Sequence, residues 1–579
     1  MFVTPSADTL SPSKHTSAQP TVADAWLRLL KHHGVNFLFG NAGTDFPSII
    51  EAYARAAATG AAVPTPILAP HENAAIGMAH GYAMVTGRAQ AAMVHVNVGT
   101  ANALAGIMNA SREHIPMLVA AGRTPILEAG PPGARSMPIH WAQEMFDQAG
   151  IVREMVRWDY ELRDPRQLDT VVERAMAITR SAPRGPVYLA LPREVLAEPA
   201  APDRPAAPLA PAAPAVPGAD AIARAADLLA NARHPMVIAT RLGINPEAVA
   251  ALGALADAFA LPVVDYRPRY LNLPADHLMH AGYEVAPWIG EADVILVLDS
   301  DVPWLPDGPA PHPDCRIIQL GHDPLFSRYP VRGFRADVTL AASPVLTLHA
   351  LHTALESRLA DRDEAVQARR AAIVGRIGEV RATAERAITP ADSTTPMGKA
   401  WASRCIAEAA GPEAIIVNEY PFVPAAGRLR RPGSYFGSSS VSGLGWGLPA
   451  ALGAQLAEPD RLVVATLGDG AYMFANPTAC HQIAQAHTLP VLTVVFNNGE
   501  WGAVRRATAD MYPDGQAVQA ENLPFVSLSP APAYEMLVQA SGGHGERVDD
   551  ANALPDALAR AVTVVRNERR QALLNVICG

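Results

Sequence analysis

Residues 461–506 constrain the fold more than any other stretch of this chain. An apolar run at 462–467 has the length and continuous hydrophobicity of a buried parallel strand. A helical pattern follows at 477–487, and a second apolar run occupies 491–496. Strand, helix and strand in this order predict a βαβ unit whose right-handed crossover places the two strands side by side and parallel.

Polar residues stand at the carboxyl end of each of these strands. Gly468-Asp469-Gly470 is expected to break the first strand, and Asn497-Asn498-Gly499 follows the second. Because both ends emerge at the same edge of the sheet, Asp469 and Asn498 are expected to be neighbours. With the backbone carbonyl of Glu500 they offer the oxygen ligands that Mg²⁺ prefers, and the glycines allow a phosphate to approach the backbone. Two ordinary tight turns are the alternative.

This pattern resembles the thiamine diphosphate (ThDP) enzymes of the acetolactate synthase, benzoylformate decarboxylase and pyruvate decarboxylase group. The resemblance implies that Asp469, Asn498 and the carbonyl of Glu500 hold Mg²⁺ against the cofactor's diphosphate. It also implies that the backbone around the motif binds the cofactor, through Gly468, Asp469, Gly470 and Ala471.

Composition limits the remaining possibilities. A chain of 579 residues is too long for one hydrophobic core, so three domains are expected. A net charge of −10 argues against a nucleic-acid surface, and no apolar run is long enough to span a membrane. The four cysteines, Cys315, Cys405, Cys480 and Cys578, show no CxxC spacing. We therefore expect a reducing, cytoplasmic location without zinc or disulfides.

Alternating strand and helix patterns predict an α/β protein with three open parallel-sheet domains. The expected segments are a disordered tail at 1–20, a first domain at 21–198, an Ala/Pro-rich tether at 199–217, a central domain at 218–360, a connecting helix at 361–389 and a third domain at 390–579. The resemblance implies a pyruvate decarboxylase-like architecture, in which the first domain binds the aminopyrimidine and the third binds the diphosphate.

Glu72 begins a predicted helix directly after a strand, in the segment Ala69-Pro70-His71-Glu72-Asn73. A carboxylate at a helix start is favoured by the helix dipole alone. The resemblance implies a second role, since the glutamate that activates thiamine stands in this context. In that role Glu72 hydrogen-bonds the aminopyrimidine ring and performs general acid–base chemistry.

Two further residues of the first domain match benzoylformate decarboxylase in position. His95 lies at the end of a predicted strand, four residues before Gly99, and a helix is expected at 100–114, directly after that glycine. A histidine stands in the same place in benzoylformate decarboxylase, whereas acetolactate synthases typically lack it. This implies an active-site acid or base, although a histidine at a strand end also commonly caps a carbonyl. Thr44 replaces a serine of that enzyme, which implies contact with the substrate carboxylate. Gln143 either faces the cofactor or begins a surface helix.

The central domain carries weaker signals. His277 stands five residues before Gly282, as does a catalytic histidine of benzoylformate decarboxylase, but a histidine is common in this loop throughout the group. Acetolactate synthases with FAD typically show Gly-Met-His-Gly, where this chain has Met279-His280-Ala281-Gly282. That difference disfavours FAD, and the lack of GxGxxG leaves nicotinamide unsupported.

A turn of small residues, Ser442-Gly443-Leu444-Gly445, precedes a helix in the third domain. A buried tight turn is the simplest interpretation. The resemblance implies that this turn holds the aminopyrimidine, with Leu444 wedging the cofactor into its bent form and Ser442 contributing its carbonyl.

The resemblance implies decarboxylation of a small-molecule 2-oxo acid in a homodimer or, more typically, a homotetramer, with Glu72 of one subunit facing the third domain of another. His95 and His277 favour a benzoylformate decarboxylase-like enzyme. An acetolactate synthase-like carboligase is the alternative, and a non-catalytic scaffold is a third hypothesis. Retention of Glu72, Asp469 and Asn498 argues against the scaffold.

Overall fold

Three parallel β-sheets, one in each predicted domain, organise the computed structural model. It describes residues 19–201, 208–388, 397–520 and 523–579. All pairings between its named strands are parallel, which confirms the α/β prediction. Of the tail predicted at 1–20, residues 1–18 lie outside the described residues.

The first domain holds a six-stranded sheet. Its elements are α1 (Val22–His32), β1 (Phe37–Gly40), α2 (Pro47–Thr59), β2 (Thr65–Leu68), α3 (Glu72–Thr86), β3 (Gln90–Val94), α4 (Val96–Arg112), β4 (Met117–Arg123), α5 (Ile139–Ala142), β5 (Asp159–Glu161), α6 (Leu168–Arg180), β6 (Pro186–Pro192) and α7 (Arg193–Ala197). The strand order is β2-β1-β3-β4-β6-β5. The carboxyl ends of β1, β2 and β3 therefore lie side by side, and the loops that follow them share one edge.

The central domain holds a five-stranded sheet and leads into the connecting helix. Its elements are α8 (Ala219–Asn231), β7 (Pro235–Ala239), α9 (Pro246–Phe259), β8 (Val263–Asp265), α10 (Ala286–Ile289), β9 (Val294–Leu298), β10 (Arg316–Gly321), β11 (Val338–Ala341), α11 (Pro344–Leu359) and α12 (Asp363–Arg386). The strand order is β11-β10-β9-β7-β8. Only Val366 and Ile377 of α12 are buried, in agreement with a solvated connecting helix. None of the helices in the described ranges is long and apolar enough to cross a membrane.

The third domain holds a second six-stranded sheet. Its elements are α13 (Lys399–Ala410), β12 (Ile415–Glu419), α14 (Pro424–Gly427), β13 (Tyr435–Gly437), α15 (Gly447–Ala457), β14 (Val463–Gly468), α16 (Asp469–Phe474), α17 (Pro477–Ala486), β15 (Val491–Asn497), α18 (Gly502–Met511), α19 (Gln516–Gln519), α20 (Tyr534–Gln539), β16 (His544–Val548), α21 (Leu554–Asn567) and β17 (Ala572–Ile577). The strand order is β13-β12-β14-β15-β17-β16. The predicted neighbours β14 and β15 pair directly, with Gly468 opposite Phe496.

Two predicted boundaries differ from the structure. Strand β14 runs through Gly468, and helix α16 begins at Asp469 where a turn was expected. Helix α4 begins at Val96, whereas the sequence predicted a start at Thr100 after Gly99. Gly99 lies within the helix, and a Cβ there would come within 3.2 Å of Glu72 Oε1 and of the Val94 side chain. This glycine provides packing space, not a turn.

Helices α3 and α15 join the first and third domains within one chain. Side chains at Gly77 and Gly81 of α3 would collide with Pro449 and Ala450 of α15. A side chain at Gly453 of α15 would likewise collide with the backbone of α3. The absence of side chains at these positions lets the two helices approach closely, so the first domain is anchored to the third.

The Ala/Pro-rich tether forms no regular element in its described part. The Leu209 amide donates to Glu173 at 3.0 Å on the first domain. Further along, the Ser343 amide of the central domain donates to the Ala215 carbonyl at 2.9 Å. The described part of the tether therefore contacts the first domain at Leu209 and the central domain at Ala215.

Candidate active site

Asp469 lies at the carboxyl edge of the third sheet and connects the two loops of the βαβ unit. Its Oδ1 accepts the Gly470 amide at 2.8 Å, and its Oδ2 accepts the Gly499 amide at 2.8 Å. The second bond crosses from the end of β14 to the end of β15. The predicted proximity of the Asp469 and Asn498 loops is thus confirmed.

The charge of Asp469 has no counterion among the described residues. The side chain is 3% exposed, and burial raises the pKa of Asp469 above its ordinary value. The hydrogen bonds around it come from backbone amides, and the ion pairs of the described residues do not include it. A bound cation would stabilise the charged form of a carboxylate that is buried without a counterion.

Asn498 and Glu500 extend the same edge. Asn498 Oδ1 lies 3.4 Å from the Glu500 amide, and the Glu500 carbonyl accepts the Gly502 amide at 2.9 Å. The Glu500 carboxylate pairs instead with Arg505 at 2.6 Å. The Glu500 carbonyl therefore keeps one lone pair that can bind a cation, while the Glu500 carboxylate is already paired with Arg505.

The glycines of the Gly-Asp-Gly motif serve different purposes. A Cβ on Gly470 would collide with the ring of Trp501, which packs over the start of α16. A Cβ on Gly468 would meet no atom within 4 Å, so the backbone is open there. Ala471 is buried in the first turn of α16. Of the two glycines, Gly468 is the one with open space on the Cβ side of its backbone.

The turn before α15 is held from both sides. The Asn109 side chain donates to the Gly443 carbonyl at 2.8 Å, and the Gly443 amide lies 3.2 Å from Asn109 Oδ1. Leu444 is partly buried against the core shared by the first and third domains. Ser442 has a φ of +56° and its hydroxyl bonds that of Tyr420. The Ser442 hydroxyl is thus engaged within the chain, whereas Leu444 is fixed by packing.

Glu419, a residue that sequence reasoning passed over, orients the other half of this turn. Its carboxylate accepts the Gly445 amide at 2.8 Å and the Gly447 amide at 2.7 Å. The group is fully buried, and burial raises the pKa of Glu419 to about 7. Its place at the end of β12, beside β14, was the signal available in the sequence.

Glu72 is buried at the first residue of α3, at the carboxyl edge of the first sheet. Its Oε1 accepts the Asn41 side chain at 3.0 Å, and its Oε2 accepts the Asn102 side chain at 3.1 Å. His71 caps the helix by accepting the Asn73 amide on Nδ1 at 3.1 Å. Two amide donors therefore fix the Glu72 carboxylate, and Asn41 and Asn102 are site residues that the sequence did not single out.

His95 is influenced by the charge of Glu72 and is held by a second carboxylate. Its Nδ1 lies 2.6 Å from Asp45 Oδ1. The hydrogen bond to Asp45 raises the pKa of His95 above its ordinary value; burial acts in the opposite direction, and the charges of Asp45 and Glu72 add to the rise. Nε2 of His95 lies 3.4 Å from Gln143 Nε2. Asp45 was also missed, although it directly follows Thr44.

The remaining predicted residues divide into two groups. Thr44 lies in the loop between β1 and α2 with Asp45, and Gln143 reaches His95, so both belong to the first-domain edge. His277 lies in the central domain, where its ring is 3.3 Å from Asp257 and accepts the Met279 amide at 3.1 Å. None of its contacts in the described part of the chain involves His95 or Glu72. A catalytic role for His277 stays a prediction.

Comparison with known proteins identifies the family of the domains that carry these two edges. Residues 20–151 match the family model of the thiamine pyrophosphate enzyme N-terminal TPP binding domain, and residues 422–576 match that of the C-terminal TPP binding domain. Thiamine pyrophosphate is ThDP. The chain belongs to the ThDP-dependent enzymes. The first domain and the third domain are its two cofactor-binding domains.

Relatives place this ThDP-dependent enzyme in the decarboxylase and acetolactate synthase group. The chain is 27% identical to benzoylformate decarboxylase of Pseudomonas aeruginosa over 93% of its own length and 97% of the relative's. It is 27% identical to the acetolactate synthase large subunit of Parasynechococcus marenigrum over 96% of its own length and 88% of the relative's. The fold matches the solved 4-hydroxybenzoylformate decarboxylase of Rhodococcus jostii, with a TM-score of 0.77, 22% identity and coverage of 97% and 99%.

The third-domain edge of this ThDP-dependent enzyme fits a cation bound together with a diphosphate. Among the described residues no group of three or more His, Cys, Asp or Glu side chains is arranged to hold a metal. A cation at Asp469 would therefore depend on amide, carbonyl and phosphate oxygens. That ligand set is typical of Mg²⁺ bound with phosphates. The open backbone at Gly468 supplies the space beside it.

Proposed function

We propose that this ThDP-dependent enzyme is a Mg²⁺-dependent 2-oxo acid decarboxylase of the benzoylformate decarboxylase type. The observation that supports this most is His95, whose Nδ1 bonds the buried carboxylate of Asp45 and whose charged form is favoured by the charge of Glu72. Its side chain is 17% exposed, so Nε2 remains accessible from the edge of the sheet. A decarboxylase requires such a proton donor, since its product carbon must be protonated.

Each residue has a distinct task in this proposal. Bound ThDP supplies the carbanion and electron-sink chemistry of the reaction. Asp469, Asn498 and the Glu500 carbonyl hold Mg²⁺, and the backbone at Gly468, Gly470 and Ala471 receives the diphosphate.

Three side chains orient the cofactor and move protons. Leu444, fixed by the bonds of Asn109 and Glu419 to its turn, orients the aminopyrimidine. Glu72 accepts and returns a proton at its carboxylate, held in place by Asn41 and Asn102. His95 donates a proton from Nε2, and the Thr44 hydroxyl faces the substrate carboxylate.

The proposed assembly places these tasks at a boundary between subunits. Within one chain, no hydrogen bond or ion pair of the described residues joins Glu72 to the Asp469 edge. Leu68 lies four residues before Glu72, and Val98 precedes Gly99, which lies against Glu72. Both are exposed apolar side chains, an arrangement suited to cover by another subunit. We propose a homodimer at minimum and a homotetramer as the full assembly. A cytoplasmic location and the absence of FAD stay predictions.

A carboligase of the acetolactate synthase type is the second candidate. The surface beside α16 carries the exposed apolar side chains Met473, Phe474 and Val504, and Phe474 packs edge-on against Trp501 with ring centres 5.7 Å apart. An apolar wall of this kind suits a second carbonyl substrate. It is the feature that favours ligation over simple protonation.

Assays of CO₂ release with a panel of 2-oxo acids, with and without an added aldehyde, test both candidates. The decarboxylase predicts aldehyde formation without an acceptor and roughly 10²-fold or greater loss in His95→Ala. Carboligation should survive that substitution. Production of only the ligated compound, with His95→Ala unchanged, would contradict the decarboxylase and support the carboligase.

A further inference from the structure

Asp45 and His95 form the closest carboxylate–imidazole contact at the first-domain edge. Their atoms Oδ1 and Nδ1 lie 2.6 Å apart, and the second oxygen of Asp45 accepts the Val96 amide at 3.2 Å. The Asp45 side chain is 3% exposed. An ionised carboxylate only accepts hydrogen bonds, so in an Asp45 carboxylate–His95 contact Nδ1 carries the hydrogen and Nε2 is left for other partners.

Two glycines leave the space that the Asp45 and His95 side chains occupy. A Cβ at Gly122, at the end of β4, would collide with the Asp45 carboxylate, and a Cβ at Gly43 would collide with the His95 ring. Val96 has a φ of +32°, a conformation that is costly for a β-branched residue. Its amide bond to Asp45 helps to hold that backbone. Two glycines and a strained backbone thus converge on one contact.

We propose that Asp45 is a positioning residue that fixes His95 as an Nδ1–H imidazole and sustains its protonated form, so that Nε2–H is the proton donor of the reaction. The proposal rests on the proposed decarboxylase. Nε2 gives its proton to the product carbon and is reprotonated from solvent. Asp45 keeps the Nδ1–H bond throughout.

Other charges around His95 support the same role. Glu72 is the second anion near the ring, and its charge favours imidazolium. His140 lies close enough to interact with His95, but burial and the nearby Arg193 and Arg135 lower the pKa of His140, so it is neutral near pH 7. Gln143, the direct neighbour of Nε2, has no charge. The anions therefore dominate the field at His95.

The His33–Glu173 pair provides a matched control within the same domain. Its atoms Nε2 and Oε1 lie 3.0 Å apart, and both side chains are buried. Burial nevertheless lowers the pKa of His33 despite the carboxylate. Glu173→Gln therefore removes a buried carboxylate from a histidine that lies outside the proposed site.

NMR titration of histidine rings in the protein without added cofactor tests the proposal directly, with His95→Gln used to assign the signal. In the unsubstituted protein the ¹⁵N shifts above the pKa should show Nδ1–H for His95. Asp45→Asn and Asp45→Ala should lower the pKa of His95 by about one unit, and Glu173→Gln should leave it unchanged. A neutral Nε2–H form in the unsubstituted protein, or an unshifted titration in Asp45→Asn, would overturn the proposal.

The pH profile of turnover adds a readout that a purely structural role would not move. Because the His95 imidazolium is the proposed proton donor, activity should fall as pH rises and the imidazolium loses its proton. Asp45→Asn should therefore shift the basic limb of the kcat/KM profile to lower pH. If the pKa of His95 falls by about one unit, the variant holds roughly a tenth of the imidazolium that the unsubstituted protein holds at pH values above the original pKa. KM should change less than kcat. An unmoved limb would overturn the role of Asp45.

The role of Asp45 and the decarboxylase activity can fail separately. A shifted titration in Asp45→Asn together with full turnover in His95→Gln would support Asp45 as the residue that positions His95. It would at the same time contradict the decarboxylase proposal.

Discussion

The two cofactor-binding edges satisfy their buried carboxylates in different ways. In the first domain, side chains do so: Asn41 and Asn102 bind Glu72, and His95 binds Asp45. In the third domain, backbone amides bind Asp469, and no cationic side chain pairs with it among the described residues. Among these partners the imidazole of His95 can gain and lose a proton, whereas the backbone amides around Asp469 only donate hydrogen bonds and leave its charge without a counterion in the described part of the chain. This difference is the basis of our proposal that the first edge serves proton transfer and that the second holds a metal and a diphosphate.

Asp469→Ala should produce the largest effect, because it removes the only carboxylate proposed to bind Mg²⁺. We expect loss of Mg²⁺-dependent cofactor retention and of turnover, measured by ThDP released on gel filtration with and without a chelator. The neighbouring surface variant Asp510→Ala, on α18, serves as a control that should retain cofactor. Normal ThDP retention in Asp469→Ala would contradict the metal-binding role proposed for the third-domain edge.

Glu72→Gln should separate binding from chemistry. The amide keeps the size of the side chain but cannot exchange the proton, so we expect ThDP binding to persist while turnover falls by roughly 10²–10⁴-fold. Isothermal titration with ThDP and Mg²⁺, combined with steady-state kinetics, measures both quantities. If ThDP affinity fell together with turnover, Glu72 would be needed for cofactor binding, and the proposed difference between the two edges would be contradicted.

Glu419→Gln should produce the smallest effect, on stability rather than on chemistry. Because burial raises the pKa of Glu419 to about 7, the folded protein binds a proton that the unfolded chain has lost above its ordinary pKa of 4.5. Stability should therefore fall as pH rises between these values, by at most about 1.4 kcal/mol per pH unit. Thermal unfolding at several pH values should show a flatter slope in Glu419→Gln. An unchanged slope would show that Glu419 does not carry this proton.

The sequence predicted those parts of the site that depend on local order along the chain. Adjacent strands β14 and β15 follow from a βαβ pattern, and this alone brought Asp469 to the Asn498 loop. Asp45, Asn102 and Glu419 escaped notice because their partners lie 26 to 50 residues away, and such contacts depend on how loops fold over the sheet edge.

Helix α4 shows why a boundary was misplaced. Gly99 was interpreted as a turn before a helix, but in the structure it makes room for Glu72 inside the helix. The edge strand β11 and the following helix α11 were not predicted at all. Strand β11 has only four residues and alternates between buried and exposed, so it lacks the continuous apolar run that marked the central strands.

Mixing two inactive variants tests most directly whether Glu72 of one subunit and the Asp469 edge of another serve the same cofactor. Glu72→Gln and Asp469→Ala subunits carrying different affinity tags would be coexpressed, and hybrids purified through both tags. A shared site predicts that each hybrid regains one intact site and part of the wild-type turnover, while either variant alone remains inactive. Inactive hybrids of confirmed composition would contradict the account.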